Sequence, residues 1–144
     1  MIVSQILKSK PEMGVVSVTP DASVSEVVGI LSDKRIGTVV VSKDGASLDG
    51  ILSERDVVRE LGRRGVALMA EPASAIMTAK LVTCGPTDKA DAVLTMMTDG
   101  RFRHIPVMDE GKMIGLISIG DVVKARLSEL SMEKDALEGM IMGH

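Results

Sequence analysis

The residues best suited to chemistry lie in one short pattern that the chain contains twice. The pattern is a glycine, two apolar residues, a serine and, three positions after the serine, an aspartate; it spans residues 50–56 and 115–121. Each copy precedes a predicted helix, whose first N–H groups favour an anion such as phosphate. A serine hydroxyl can donate a hydrogen bond to phosphate, and a carboxylate can accept both hydroxyls of a ribose. The candidate sugar-phosphate ligands are Ser53, Asp56, Ser118 and Asp121.

A structural interpretation of the same pattern stays open. A serine before a helix can act as the N-cap, and an aspartate in the first turn interacts favourably with the helix dipole. A single copy would be explained fully in this way. Because the second copy has the same spacing, ligand binding remains an alternative of about equal weight to the structural interpretation.

Cations that could meet a phosphate occur in residues 101–107, which read R-F-R-H-I-P-V. Arg103 and His104 directly precede a predicted buried strand, and both could contact phosphate oxygens. The alternative is that basic residues lie beside the last carbonyl groups of a helix. That alternative suits Arg35 and Arg101.

The common enzyme motifs are missing from this sequence. It contains no G-x-G-x-x-G, no G-x-x-x-x-G-K-[ST] and no G-x-S-x-G. The chain has one cysteine and two histidines, too few for a cysteine or histidine metal cluster. A Cys84–His104 pair is one enzymatic alternative, but Cys84 is better explained as a small buried hydrophobe. We therefore expect neither catalysis nor a bound metal.

Composition narrows the range of partners. Of the 144 residues, 45% are hydrophobic and 26% are charged, and the net charge is −3. The lack of a basic excess and the single aromatic residue argue against a nucleic-acid surface. No apolar run approaches the ~20 residues of a membrane helix, and the first residues do not resemble a signal peptide. One cysteine fits a reducing compartment, so we expect a cytoplasmic protein.

The two patterns belong to a longer duplication. Residues 16–58 and 82–123 have the same turn-forming and helix-starting residues in the same order: Pro86 follows Pro20 by 66 positions, and Gly115 follows Gly50 by 65. Such a repeat predicts pseudo-two-fold symmetry. Hydrophobic period and turn residues predict a strand, a helix, two strands joined by a hairpin turn and a second helix in each copy. The predicted helix caps are Ser23 in the first copy and Thr87 or Asp88 in the second. Residues 62–72, between the copies, are predicted to be a linker or loop.

This duplicated unit, the Ile76-Met77-Thr78 segment and the R-H-I-P-V run resemble a tandem cystathionine β-synthase (CBS) domain pair, or Bateman module, over nearly the whole chain. The resemblance implies a mixed α/β (α+β) fold. Two β-α-β-β-α CBS repeats would pack sheet to sheet about a pseudo-two-fold axis, followed by a long C-terminal helix. The repeats with their flanking segments would occupy residues 1–66 and 67–144.

The resemblance also implies ligands. Such modules bind AMP, ADP, ATP, S-adenosylmethionine or NAD in two clefts between the repeats, which we expect to be built crosswise. The first cleft would combine Ser53 and Asp56 with Thr83, Arg103, His104 and Ile105. The second would combine Ser118 and Asp121 with Ser17, Ile36, Gly37 and Thr38. Because the first contains the cations, we expect it to bind a nucleotide in preference to the second.

The expected function is a regulatory sensor that signals to an unidentified effector protein or through a homodimer. In the final helix, Val123, Leu127, Leu130, Leu137 and Ile141 recur at alternating spacings of four and three, interrupted at Leu130–Leu137 by Lys134. This is close to a coiled-coil seam. The alternatives are that these residues pack on the chain's own helices, and that the protein is a structural interaction dimer with vestigial clefts.

Overall fold

The computed structural model describes residues 1–10 and 15–142. The chain forms two compact units. The first-copy unit comprises Gly14–Val82 and Glu110–Ile114, and the second-copy unit comprises Met1–Met13, Thr83–Asp109 and Gly115–His144. The boundaries predicted from the repeats, 1–66 and 67–144, stay a prediction.

The mixed α+β architecture expected from the repeats is confirmed. In chain order, the elements are α1 (Val3–Ser9), β1 (Ser17–Val18), α2 (Val24–Lys34), β2 (Thr38–Val41), β3 (Gly50–Ser53), α3 (Glu54–Arg64), two 3-10 helices (Val66–Ala70 and Ala73–Ala75), α4 (Ala90–Gly100), β4 (His104–Asp109), β5 (Lys112–Ser118) and α5 (Ile119–Ile141). The predicted cap at Ser23 is confirmed, because its side chain accepts the N–H of Glu26 at 3.1 Å.

The first-copy unit contains a three-stranded sheet in which β2 is central. β1 runs parallel to β2, and β3 pairs antiparallel with β2 in a register that sets Thr38 opposite Ser53. All four residues of β2 are buried, as expected for a central β-branched strand. The core around it is aliphatic: Val18, Val24, Val27, Leu31, Val39, Val41, Leu52, Val57, Leu68, Ala73 and Ile76.

The second-copy unit repeats this arrangement with less regular pairing. β4 pairs with β5, and Cys84 makes a parallel bridge to Val107. The equivalent pair in the first copy is Val18 with Val41, and both partners are displaced by 66 positions. The core residues are Val3, Ile6, Cys84, Ala90, Val93, Met97, Ile105, Val107, Ile117, Val122 and Ala125.

The segment that precedes each copy in sequence belongs to the unit of the other copy. α1 lies in the second-copy unit, where Leu7 packs on Gly115. The segment before the second copy lies in the first-copy unit, where Met77 packs on Gly50 and Thr78 pairs with Ile51. The same exchange in both copies accounts for the inclusion of α1 in the second-copy unit.

Two sequence predictions were wrong in detail. The cap of α4 is neither Thr87 nor Asp88 but Lys89. The carboxylate of Asp88 accepts the N–H of Gly85 at 2.7 Å, and the first N–H of α4, at Ala90, donates to the carbonyl of Met1 at 3.0 Å. The backbone carbonyl of Met1, which precedes α1, therefore takes the place of a side-chain cap at the start of α4. The predicted linker at residues 62–72 is largely helical, since α3 continues to Arg64 and a 3-10 helix follows.

Candidate functional site

The strand-to-helix turn of the first-copy unit, here called the first corner, contains Ser53 and Asp56. Ser53 caps α3 by accepting the N–H of Asp56 at 3.2 Å. In return, Asp56 Oδ2 accepts the backbone N–H of Ser53 at 2.9 Å and its hydroxyl at 3.0 Å. This reciprocal pair is a capping box. Ser53 and Asp56 therefore have the helix-capping role that the sequence left open.

The carboxylate of Asp56 is engaged through both oxygens. Oδ1 accepts a hydrogen bond from Arg59 Nη2 at 2.8 Å, one turn further along α3. The residue is only 7% exposed. A ribose that bound to this carboxylate would have to displace the arginine or the capping serine.

Other predicted ligands lie near this corner, within the same unit. The carbonyl of Gly37 accepts the N–H of Glu54 at 2.9 Å, which ties the start of β2 to the start of α3. Thr38 is buried opposite Ser53. Ile36 is half-buried and Ser17 is exposed, one strand away on β1.

The equivalent turn of the second-copy unit, the second corner, is more open. Ser118 caps α5 by accepting the N–H of Asp121 at 3.1 Å, and Asp121 Oδ2 accepts the N–H of Ser118 at 2.9 Å. The Asp121 side chain is 24% exposed, compared with 10% for Asp56. The same capping box thus leaves the acid of this corner more accessible.

A lysine that the sequence analysis missed completes the second corner. Lys10 Nζ lies 2.8 Å from Asp121 Oδ2 and donates to the carbonyl of Leu116, also at 2.8 Å. Partial burial alone would raise the pKa of the Asp121 carboxyl. The hydrogen bonds from Lys10 and from the backbone of Ser118, with the charge of Lys10, outweigh that effect and lower the pKa below its usual value.

The backbone of the segment that contains the predicted cations adjoins the second corner. The N–H of Ile119, the first residue of α5, donates to the carbonyl of Arg103 at 2.8 Å. Arg103 is exposed, His104 begins β4 half-buried, and Ile105 is completely buried. Thr83 is exposed and directly precedes Cys84.

The structure therefore sets the backbone of Arg103, with His104 next to it in sequence, beside the start of α5 inside one unit. It brings Gly37 and Thr38 together with Ser53 inside the other. The crosswise combination of residues from both units, expected from the resemblance, stays a prediction.

Comparison with known proteins identifies the family. The family model described as "CBS domain" matches residues 3–63 and 73–128. This chain belongs to the CBS-domain family. A mitochondrial CBS domain-containing protein of Arabidopsis thaliana is 36% identical over 148 residues, which cover 98% of this chain and 72% of the relative.

Solved structures of CBS proteins agree with the fold. A CBS-domain containing protein of Agrobacterium tumefaciens is 41% identical with a TM-score of 0.82, covering 88% of this chain and 99% of the other. A CBS domain protein of Pyrobaculum aerophilum, solved in complex with AMP, is 26% identical with a TM-score of 0.76, covering 92% of this chain and 99% of the other.

The remaining candidate residues, Arg35, Arg101 and Cys84, occupy positions that helix ends and core packing explain. Arg35 and Arg101 each end a helix in the left-handed conformation, with φ of 53° and 56°. Cys84 is buried, and burial, with the charge of Asp88, raises the pKa of its thiol to about 11.

Within residues 1–10 and 15–142, no three acidic, histidine or cysteine side chains cluster as metal ligands. In the same residues, no helix combines the length and apolar character needed to cross a bilayer.

Proposed function

We propose that this CBS chain is a regulatory, non-catalytic module that binds an adenine nucleotide at the second corner. The observation that carries the proposal is the hydrogen bond from Ile119 N–H to the carbonyl of Arg103. It keeps the start of β4 beside the start of α5. A residue with a guanidinium suited to phosphate and a residue with a carboxylate suited to ribose therefore belong to adjoining segments.

Each group at this corner has a separate task. The start of α5 and the hydroxyl of Ser118 offer hydrogen-bond donors to a phosphate. Arg103, which is exposed, can approach the same phosphate with a charge-assisted pair of N–H groups. Asp121, partly exposed, can accept the ribose hydroxyls. AMP is our first choice among AMP, ADP, ATP and NAD because the Pyrobaculum relative was solved with AMP.

We rank the second corner above the first, which reverses the order expected from the sequence. Asp56 is buried and held by Ser53 and Arg59, so a ribose would first have to break existing bonds. Replacing a buried charge-assisted hydrogen bond is costly unless the ligand restores it.

Calorimetric titration with AMP and with adenosine tests this proposal. We expect Arg103→Gln to weaken AMP binding about tenfold or more and to change adenosine binding little, because only AMP has a phosphate. Arg101→Gln is the matched control, since it removes the same charge two positions away at a helix end. Equal losses in both variants, or no binding of AMP by the wild type, would refute the proposal. Native mass spectrometry of freshly purified protein would identify a co-purified nucleotide.

A homodimer is the second part of the proposal, and the exposed side of α5 supports it. Apolar residues of the predicted seam are exposed in the single chain, including Leu127 at 63% and Leu137 at 59%. Self-association would cover them and would carry a ligand signal to a second copy or to an effector protein. If the protein dimerises but binds no nucleotide, the alternative of a structural interaction dimer is favoured.

The oligomeric state can be measured by light scattering after size exclusion. We expect Leu127→Lys to shift the protein to a monomer. Met132→Lys is the control, because Met132 is exposed to a similar extent, 64%, on the opposite side of α5. A dimer that persists in Leu127→Lys would exclude this seam.

A further inference from the structure

The second corner contains a cation from a distant part of the sequence. Lys10 follows α1, 111 positions before Asp121, yet its ammonium makes two short contacts there, to Asp121 Oδ2 and to the carbonyl of Leu116. An ammonium has three N–H donors, and these contacts use two of them. The Lys10 side chain is 33% exposed, so solvent reaches part of it.

The two corners neutralise their aspartates differently. At the first corner, the cation is Arg59, three residues after Asp56 on the same helix. At the second corner, it is Lys10, on the segment that precedes the first copy in sequence. The equivalent of Lys10 before the second copy is Lys80, since Ile6-Leu7 and Ile76-Met77 precede the two lysines at the same spacing. Lys80 is exposed.

Charge balance decides what a ligand would meet at the second corner. Without Lys10, the carboxylate of Asp121 would repel a phosphate placed near the start of α5. With Lys10 at 2.8 Å, the acid and the ammonium cancel, and the guanidinium of Arg103 and the helix dipole remain as the net positive contribution. The third N–H of Lys10 can then donate to a phosphate oxygen.

Resting on the proposed function, we propose that Lys10 is a specificity-determining residue of the second corner, which makes it accept a phosphorylated nucleoside in preference to the neutral nucleoside. The fixed position of the ammonium is central to this role. Its contacts with Asp121 and the Leu116 carbonyl hold a flexible side chain in place before the ligand arrives, which reduces the entropy lost on binding.

The test is calorimetric titration of the full chain with AMP and with adenosine for three variants. Lys10→Met should weaken AMP binding about tenfold or more, as expected for loss of a charged hydrogen bond, and change adenosine binding by less than about threefold. Lys10→Arg should keep the preference for AMP, because it keeps the charge. Lys8→Met, an exposed lysine on α1, is the control and should change neither affinity by more than about twofold.

Each other outcome overturns the inference. Equal losses for AMP and adenosine would mean that Lys10 only supports the local structure. Tighter binding of both ligands by Lys10→Met would mean that Lys10 competes with the ribose for Asp121. An unchanged AMP affinity, in a protein where Arg103→Gln weakens AMP, would refute the role of Lys10 and leave the proposed function intact. No AMP binding by the wild type would remove both. Thermal unfolding without ligand checks that each variant is folded.

Discussion

Two equivalent glycines, Gly50 and Gly115, provide a quantitative test of how the segments before each copy pack. A Cβ at Gly50 would lie 2.6 Å from the sulfur of Met77 and 3.0 Å from the carbonyl oxygen of Thr78. A Cβ at Gly115 would lie 2.7 Å from a terminal methyl group of Leu7. We therefore expect both Gly50→Ala and Gly115→Ala to destabilise the protein.

The magnitudes should differ because the neighbours differ in freedom. Comfortable contacts need about 3.5–4.0 Å. At Gly50 the backbone of Thr78 cannot retreat easily, since Thr78 and Ile51 exchange hydrogen bonds of 2.8 and 3.0 Å. At Gly115 a leucine methyl group can rotate away. Overpacking costs about 1–3 kcal/mol, so we expect about 2–3 kcal/mol for Gly50→Ala and about 1 kcal/mol for Gly115→Ala.

Gly29 is the control for the same chemical change. It lies within α2, and a Cβ there would meet no described atom within 4 Å outside its own helix and chain neighbours. Gly29→Ala should stabilise the protein by about 0.5–1 kcal/mol, because alanine has the better helix propensity. Urea unfolding followed by far-ultraviolet circular dichroism measures all three, since the chain has neither Trp nor Tyr for fluorescence. A Gly50→Ala protein as stable as the wild type would refute the packing argument.

Three further predictions concern single residues. Arg101→Gly should stabilise the protein by about 0.5–1 kcal/mol, because glycine adopts φ of 56° without the strain of a side chain; unfolding in urea measures this, and a loss of stability would contradict it. Asp121→Asn should lower stability above about pH 4 and converge with the wild type in more acid solution. The folded protein lowers the pKa of Asp121, so the ionised acid's contribution disappears as pH falls through that value; parallel curves down to pH ~2 would contradict this. The thiol of Cys84 should react with a disulfide reagent at pH ~8 about a hundredfold more slowly in folded than in unfolded protein, because it is buried and its pKa is about 11; rapid labelling of the native chain would contradict its burial.

Much of the fold could be predicted because the duplication supplies each local signal twice. The cap at Ser23, the buried strand β2 and the capping serines Ser53 and Ser118 all follow from residue type and period. These features depend on neighbours within a few positions. The missed start of α4 depends instead on the backbone of Met1, far away in sequence, which no local pattern indicates.

The candidate site shows the same limit. Its serines and aspartates were found because they repeat, and Arg103 was found because it adjoins a buried strand. Lys10 was missed because a contact across 111 positions leaves no periodic signal. A comparison of Ile6-Leu7-x-x-Lys10 with Ile76-Met77-x-x-Lys80 could have indicated it, since those segments also repeat.

The two interpretations of the repeated serine–aspartate pattern, helix cap and ligand site, need not exclude each other. Both corners contain the capping box, so capping alone accounts for the shared spacing. The corners differ in the cation that contacts the aspartate. At the first corner it is Arg59, which lies nearby on the same helix and covers Asp56, whereas at the second corner it is Lys10, which is distant in sequence and leaves Asp121 partly exposed. Arg59→Met should therefore make the carboxylate of Asp56 more accessible, as that of Asp121 is. Without the arginine, the carboxylate would repel a phosphate but could still accept ribose hydroxyls. We expect this variant to lose about 1 kcal/mol of stability and to gain a weak site for adenosine rather than for AMP, measurable as adenosine stoichiometry by calorimetry. A stoichiometry unchanged from the wild type would show that the arginine is not what closes the first corner.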